Sequence, residues 1–320
     1  MAIEFLILAA GLLLILFGAN YLVDGASSIA KKSGLSEFVI GLTIVGIGTS
    51  TPEMVVSFIS AFQGKTDMAI GNIIGSNIFN TLLILGITAL IAPLTITKSN
   101  LKRDIPLNIF VTVLLLVLGM NHTLFHYGND VLSRVDGIMM LGLFAWYLWS
   151  SFKTTPTEGD AEDSEGTKEK SILLSTVMIG GGLAGLIFGG RLFVNSASSI
   201  ASMFGVSDKF IAITVMAAGT SMPELATSAV AAFKGRGQLA LGNILGSNVS
   251  NILLILGGSA LIRPLPLSNI SYLDLGMVLL SAVLIMLTAL TFKKNRIDRL
   301  EAVIFLLIEA AYMWYLIATL

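Results

Sequence analysis

Segment after segment of this chain stays apolar for longer than the roughly 18 residues that carry an α-helix across a bilayer. The first is "FLILAAGLLLILFGANYLV", from Phe5 to Val23. Such runs leave the chain few choices, because hydrocarbon offers no water to an unpaired backbone amide and the segment must satisfy its own groups as a helix. With 55% of residues hydrophobic, 12% charged and a mean hydropathy of +0.87, the sequence reads as a polytopic membrane protein. A net charge of -1 and a pI near 6.1 give no reason to expect nucleic acid. The absence of cysteine excludes disulfides, thiolate metal sites and cysteine nucleophiles. The N-terminal run carries Glu4, lacks a basic leader and stays apolar past a signal peptide's core, so it reads as a retained first helix.

Hydropathy places spans at 3–28, 37–62, 68–92, 104–120, 134–152, 172–200, 208–233, 239–262, 273–291 and 299–318. The expected fold is thus an all-α polytopic membrane protein of ten transmembrane helices. Between the fifth and sixth spans, "TTPTEGDAEDSEGTKEK" cannot bury enough apolar surface to fold alone, which makes 153–171 an acidic linker. Connections on one face gather fourteen basic residues, among them Lys31, Lys32, Lys98, Arg103, Lys234, Arg236 and Arg296, against Lys65, Arg134, Lys209 and Arg263 on the other. The positive-inside rule makes the first face cytoplasmic, so both termini are expected outside and the linker inside.

Within the second span stands "TSTPEMVVSF", with a proline and a glutamate, Pro52 and Glu53, amid apolar residues. A carboxylate at a helix centre in the membrane costs roughly 2.5–3.5 kcal/mol, so it is seldom ornamental. The same pattern recurs: "TSTPEMVVS" at 49–57 against "TSMPELATS" at 220–228, and "GNIIGSNIFN" at 71–80 against "GNILGSNVSN" at 242–251, both displaced by 171 positions. The offset also aligns "ASSIA" at 26–30 with 197–201 and Pro93 with Pro264, without a gap. The shared residues are mostly Gly, Thr, Ser, Pro, Glu and Asn, not the Leu and Val that chance similarity of apolar segments would share.

Each half then has five spans, an odd number, and the second must enter the membrane from the opposite side. The chain divides into a first five-helix repeat at 1–152, with its motif region at 37–93, and a second at 172–320, with its motif region at 208–264. Inverted repeats interrupted by Gly and Pro point to a secondary transporter with its site at the midplane between the halves. Proline frees the carbonyl four residues back, near Gly48 and Gly219. Thr49 and Ser50, or Thr220 and Ser221, reach the face of the following Glu at i−4 and i−3. Asn72, Ser76 and Asn80 recur at i, i+4 and i+8 on the next span, as do Asn243, Ser247 and Asn251. These donors are all oxygen, hard and anionic, which suits Ca²⁺ and Na⁺ and suits Zn²⁺ or Cu⁺ poorly.

At these residues the chain resembles the sodium/calcium exchanger family of the cation/calcium antiporter superfamily, whose two repeats carry G-T-S-x-P-E followed by G-N-x-x-G-S-N. The resemblance implies antiport of Na⁺ against Ca²⁺ by alternating access, with the first and sixth helices sliding against the other eight. It implies a central Ca²⁺ held by Glu53, Glu224, Thr49 and Thr220. It implies Na⁺ sites that add Ser50, Ser76, Ser221, Ser247 and carbonyls near Gly46 and Ala217, with Asn80 and Asn251 bordering the middle. Asn251 departs from the aspartate common at that position, which leaves stoichiometry and any potassium requirement open. A proton-driven calcium exchanger is the alternative, and a cation channel a further one. No enzyme and no cofactor are expected, the lipid bilayer is the only partner besides the ions, and a monomer is the expected functional unit. His122, His126 and Asp130 are spaced like a metal site on a helix but read better as a solvated outer turn. Asp24 and Arg191, charges within the first and sixth spans, read as snorkelling or lining a vestibule.

Overall fold

A computed structural model describes residues 2–126, 128–153, 170–204, 217–268, 270–291 and 295–319. The N-terminal run forms α1 (Ala2–Ser33). The next span is broken: α2 (Glu37–Thr49) and α3 (Thr51–Phe62) meet at 47°. Pro52 is the cause. Lacking an N–H and clashing with the preceding turn, proline is accepted only in a helix's first turn, and α3 starts afresh after Ser50, at φ −77° and ψ 9°, with Pro52 as its second residue. The carbonyl of Gly48, which that proline cannot serve, accepts a hydrogen bond from Thr51 Oγ1 at 2.7 Å.

Next come α4 (Thr66–Ile91), β1 (Leu94–Thr95), α5 (Ile105–Gly119), α6 (Asn121–Phe125), β2 (Val131–Leu132) and α7 (Arg134–Phe152). The second half supplies α8 (Ile172–Met203), α9 (Ala217–Thr220), α10 (Met222–Phe233) and α11 (Gly237–Ile262). It ends with β3 (Leu265–Pro266), α12 (Tyr272–Leu290), β4 (Arg296–Ile297) and α13 (Arg299–Ala318). Most of the acidic linker lies outside the described residues. At its last two positions the Lys170 N–H donates to Ser28 Oγ at 3.0 Å, and Ser171 Oγ caps α8 through the Leu174 N–H at 3.1 Å.

Among the described residues seven helices are each long and apolar enough to cross a membrane, or eight if the bent α2–α3 pair is one span. Helix α5 has only 15 residues, and the span predicted at 208–233 is described from 217 onward. The centre belongs to α4 and α11, whose most apolar windows lie 72% and 94% inside the protein, against 22% for α13. Outer helices therefore spend their large side chains on the lipid, as Trp146, Trp149 and Trp314 do, each more than half exposed. On a soluble protein so much exposed apolar surface would drive association; in hydrocarbon it is the favourable arrangement.

Close approach depends on glycine. Gly242 and Gly246 of α11 lie against the carbonyl oxygens of Phe38 and Leu42 in α2, leaving no room for a Cβ. Helices α1 and α8 run antiparallel along their whole length, with Gly11 against Gly189, Gly18 against Gly182 and Gly25 against Ser175. Two antiparallel ribbons close the ends of α5: β1 with β4 on one side, β2 with β3 on the other. Beside the first sit Arg236, 3.4 Å from buried Glu37, and Gln238, bonded to the Thr95 carbonyl at 2.6 Å. Beside the second sit Arg263, over Gly64, and Arg134, 3.5 Å from the Ile262 carbonyl. These members of the two basic groups thus occupy opposite ends of the molecule. Asp24 pairs with Lys234, which follows the last residue of α10, and, at 3.6 Å, with Lys170.

Candidate cation site

Helices α3 and α10 start alike. Each is preceded by a serine outside helical geometry, Ser50 (φ −77°, ψ 9°) or Ser221 (φ −88°, ψ 6°), and carries proline second and glutamate third. At that position a carboxylate meets the unspent N–H groups and the positive end of the helix dipole, which offsets part of the cost of membrane depth. Glu53 and Glu224 are each only 1% exposed and lie close enough to feel one another's charge.

Helical spacing predicts that Ser50 serves Glu53 and Ser221 serves Glu224. The structure crosses them. Ser50 Oγ donates to Glu224 Oε1 at 2.8 Å, and Ser221 Oγ donates to Glu53 Oε1 at 3.0 Å. The reason is the break itself: a serine that ends one helix and precedes another does not share the face of a residue three positions on. Thr220 and Thr49 follow the same crossed sense, toward Glu53 and Glu224 respectively, and Thr49 Oγ1 also donates to Asn243 Oδ1 at 3.1 Å. Ser76 and Ser247 rise from α4 and α11 to their own half's glutamate, at 3.4 and 3.5 Å. Gly46 belongs to the ring through its carbonyl, which accepts from Ser247 Oγ at 3.2 Å, from the Ser50 N–H at 3.2 Å and from Thr49 Oγ1 at 3.4 Å. Ala217 opens α9, one turn ahead of Ser221.

Asn80 and Asn251 each begin a π-helical turn, Asn80–Ile84 and Asn251–Leu256. Such turns re-aim side chains and recur at functional sites. Asn80 Nδ2 donates to Asn248 Oδ1 at 3.2 Å and Asn251 Nδ2 to Asn77 Oδ1 at 3.0 Å. Among the described residues that leaves four buried oxygens of the ring without a hydrogen bond, Oδ1 of Asn80 and Asn251 and Oε2 of Glu53 and Glu224. Orphaned buried acceptors are costly and rare, and here they come as two pairs related by the 171-residue offset.

Another sequence expectation resolves differently. Asn72 and Asn243 do not face the carboxylates; Asn72 Nδ2 holds the Glu53 backbone carbonyl at 3.3 Å and Ser57 Oγ at 3.0 Å, and Asn243 does the same for Glu224 and Ser228. They fasten α4 to α3 and α11 to α10. Asp130 makes no metal site with the histidines, because Thr123 takes both its oxygens, through N–H at 2.9 Å and Oγ1 at 2.6 Å. Glu309 of α13, which drew no notice in the sequence, is a second kind of membrane carboxylate: it is 4% exposed, and its Oε2 has no hydrogen-bond partner among the described residues. Asn77 and Asn248 were legible only as letters of the repeated G-S-N.

Chemically, the ring is oxygen throughout. Each hydroxyl that now donates to a carboxylate can rotate and present a lone pair to a cation, so the groups that stabilise the bare carboxylates are also able to coordinate an ion.

A family model described as sodium/calcium exchanger protein matches residues 3–153 and 174–318. The sodium/calcium exchanger MaX1 of Methanosarcina acetivorans is 34% identical, with 97% of each chain covered. Inner membrane protein YrbG of Escherichia coli is 36% identical, with 83% of this chain and 82% of its own length covered. A structure of the sodium-calcium exchanger NCX_Mj, soaked with 2.5 mM Na⁺ and 0.1 mM Ca²⁺, aligns with a TM-score of 0.82 at 33% identity over 99% of this chain and 98% of that one.

Proposed function

The chain belongs to the sodium/calcium exchanger family, and on that premise we propose that it exchanges Na⁺ for Ca²⁺ across the cell membrane by alternating access at the ring built on Glu53 and Glu224. The observation that carries this reading is the set of four buried, unbonded acceptor oxygens beside six hydroxyls able to turn toward an ion. Two carboxylates neutralise one Ca²⁺ or two Na⁺. A bare pair of carboxylates is costly to carry across hydrocarbon, so the protein changes sides only when loaded, and exchange follows instead of leak.

We read the architecture as ten transmembrane helices in two inverted five-helix repeats, 1–152 and 172–320. Support comes from the antiparallel α1–α8 pair, in which Gly11 faces Gly189 and Gly18 faces Gly182, the arrangement a two-fold relating 11 to 182 and 18 to 189 requires. The crossed serine–glutamate bonds obey the same relation. The basic end carrying Arg236 is assigned to the cytoplasm with the 153–171 linker, and both termini to the outside. The functional unit is taken as the monomer.

Proteoliposome flux tests the reading. Ca²⁺ uptake should follow an outward Na⁺ gradient, and uptake driven by pH with indifference to Na⁺ would replace it with the proton-driven alternative. Flux without any counter-ion would mean a channel. Glu53→Gln and Glu224→Gln should each abolish exchange while leaving the protein folded; near-normal transport by either would refute a shared site.

A further inference from the structure

Asn77 and Asn248 lie outside the ring, yet each holds one of its amides. Both are buried, at 3% and 2% exposure. Each follows a ring serine, Ser76 or Ser247, and so points about 100° away around its helix. The two ends of an asparagine amide are nearly the same size, and hydrogen bonding alone decides which end faces a given direction. For Asn80 and Asn251 that choice matters. With the oxygen inward they offer a cation a lone pair; turned over, they offer it two N–H donors.

The choice can be followed link by link. The Asn248 backbone carbonyl can only accept, so Asn77 must give it Nδ2, at 3.1 Å. Asn77 Oδ1 is thereby the end left for Asn251, which must answer with its own Nδ2, at 3.0 Å. Asn251 Oδ1 is thus the end without a partner. The second chain starts at Thr81: Asn248 Nδ2 donates to Thr81 Oγ1 at 3.0 Å, Asn248 Oδ1 accepts Asn80 Nδ2 at 3.2 Å, and Asn80 Oδ1 is released. Both chains cross between the halves of the molecule. They differ at the origin, because Ile252 stands where the offset would place a second Thr81. A hydroxyl can donate as well as accept, so the lock on Asn80 is the softer one.

We propose that Asn77 and Asn248 are positioning residues that set the polarity of the cation site, Asn77 fixing the amide oxygen of Asn251 and Asn248 that of Asn80 toward the ion. This rests on the reading of the ring as the cation site. The test is a set of double-mutant cycles on the full chain in proteoliposomes, reading the Ca²⁺ concentration that half-saturates Na⁺-driven uptake, with thermal stability in detergent as a parallel readout. Asn248→Ala and Asn80→Ala should each raise half-saturation by roughly three- to tenfold, the worth of one hydrogen-bonded ligand group. The double variant should be no worse than the stronger single, whereas Asn248→Ala with Asn251→Ala should multiply. Asn77→Ala should mirror this, non-additive with Asn251→Ala and multiplicative with Asn80→Ala. Multiplication in all four pairs, or a fall in thermal stability at unchanged half-saturation, would reduce both residues to packing and overturn the proposal. If Asn80→Ala and Asn251→Ala themselves leave half-saturation unmoved, it is the cation-site reading that fails. Should an alanine variant not fold, Thr81→Val removes only the acceptor that holds Asn248. It should raise half-saturation by a smaller factor in the native background and not at all on Asn80→Ala; an equal rise in both, or none in either, sinks the Asn248 arm.

Discussion

Each serine that precedes a glutamate in the motif serves the glutamate of the other half, and this exchange of partners decides what a single substitution can do. Ser50→Ala removes the 2.8 Å donor from Glu224, and Ser221→Ala the 3.0 Å donor from Glu53. Once the hydroxyl has turned to the ion it is an oxygen ligand, so either change should weaken Ca²⁺ half-saturation by roughly three- to tenfold. Because the pair is symmetric, the two effects should be similar; loss in one variant and indifference in the other would show that the halves bind unequally. The identity of these residues was legible from the repeated T-S-x-P-E, but their partners were not, since spacing along a helix says nothing across a break that re-aims the chain at Ser50. Asn77 and Asn248 were missed for a related reason: an amide next to a ring serine lies off the i, i+4 stripe, and only the approach of α4 to α11 gives it a role. Outside the membrane, the Thr123 hydroxyl and amide hold the Asp130 carboxyl below the usual carboxylate range. A carboxyl depressed by folding contributes order above its unfolded value and loses it as pH falls through the folded one. The turn around residues 121–132 should therefore keep its amide protection down to about pH 4 and lose it only below. Asp130→Asn should loosen the same turn at neutral pH, which hydrogen exchange would read directly.

The helices themselves were readable to within a few residues where apolar length alone sets them, as in 134–152 against α7 and 299–318 against α13. The proline break was readable too, because Pro52 and Pro223 leave no other course. The π-helical turns at Asn80 and Asn251 were not, for no residue type marks an inserted residue and their geometry follows from packing between the two central helices. That packing is tight enough to be tested. Gly246→Ala would push a Cβ into the Leu42 carbonyl, and since the obstacle is backbone, α11 and α2 must part. The change should cost about 1–3 kcal/mol, visible as a lowered thermal midpoint, and unchanged stability would mean that the helices are less closely apposed. Helix α13 invites the opposite experiment. Glu309 buries an unbonded carboxylate oxygen away from the ring, and replacing a buried, unpartnered polar group by an apolar one of similar size is commonly stabilising. Glu309→Leu should raise the thermal midpoint and leave Na⁺-driven Ca²⁺ uptake intact; a loss of uptake would assign that carboxylate a part in transport.

At the scale of the molecule, the two halves are joined mostly by what crosses between them. The crossed serine bonds, the asparagine chains, the α1–α8 pair and both ribbons each take one member from either side of the 154–169 stretch. On the proposed site neither half is complete: residues 1–152 hold Glu53 but take Ser221 from the other half, and 172–320 hold Glu224 but take Ser50. In the membrane the chain's halves meet without a hydrophobic effect to drive them together, and association rests on close packing and on polar bonds between helices, both of which are concentrated at this seam. The covalent connection then adds effective concentration and nothing that the ring requires. Residues 1–153 and 170–320, made as separate chains in one membrane, should therefore assemble and restore Na⁺-driven Ca²⁺ uptake, whereas either chain alone should give none. The comparison is of proteoliposomes from cells making both pieces with those from cells making one, each checked for the presence of its piece. Uptake by a single half would show that one glutamate and its own helices suffice, and would remove the basis for a shared site between inverted halves. Absence of uptake from pieces that co-purify would show instead that the linker acts in transport beyond tethering, and the seam alone would no longer account for the assembled site.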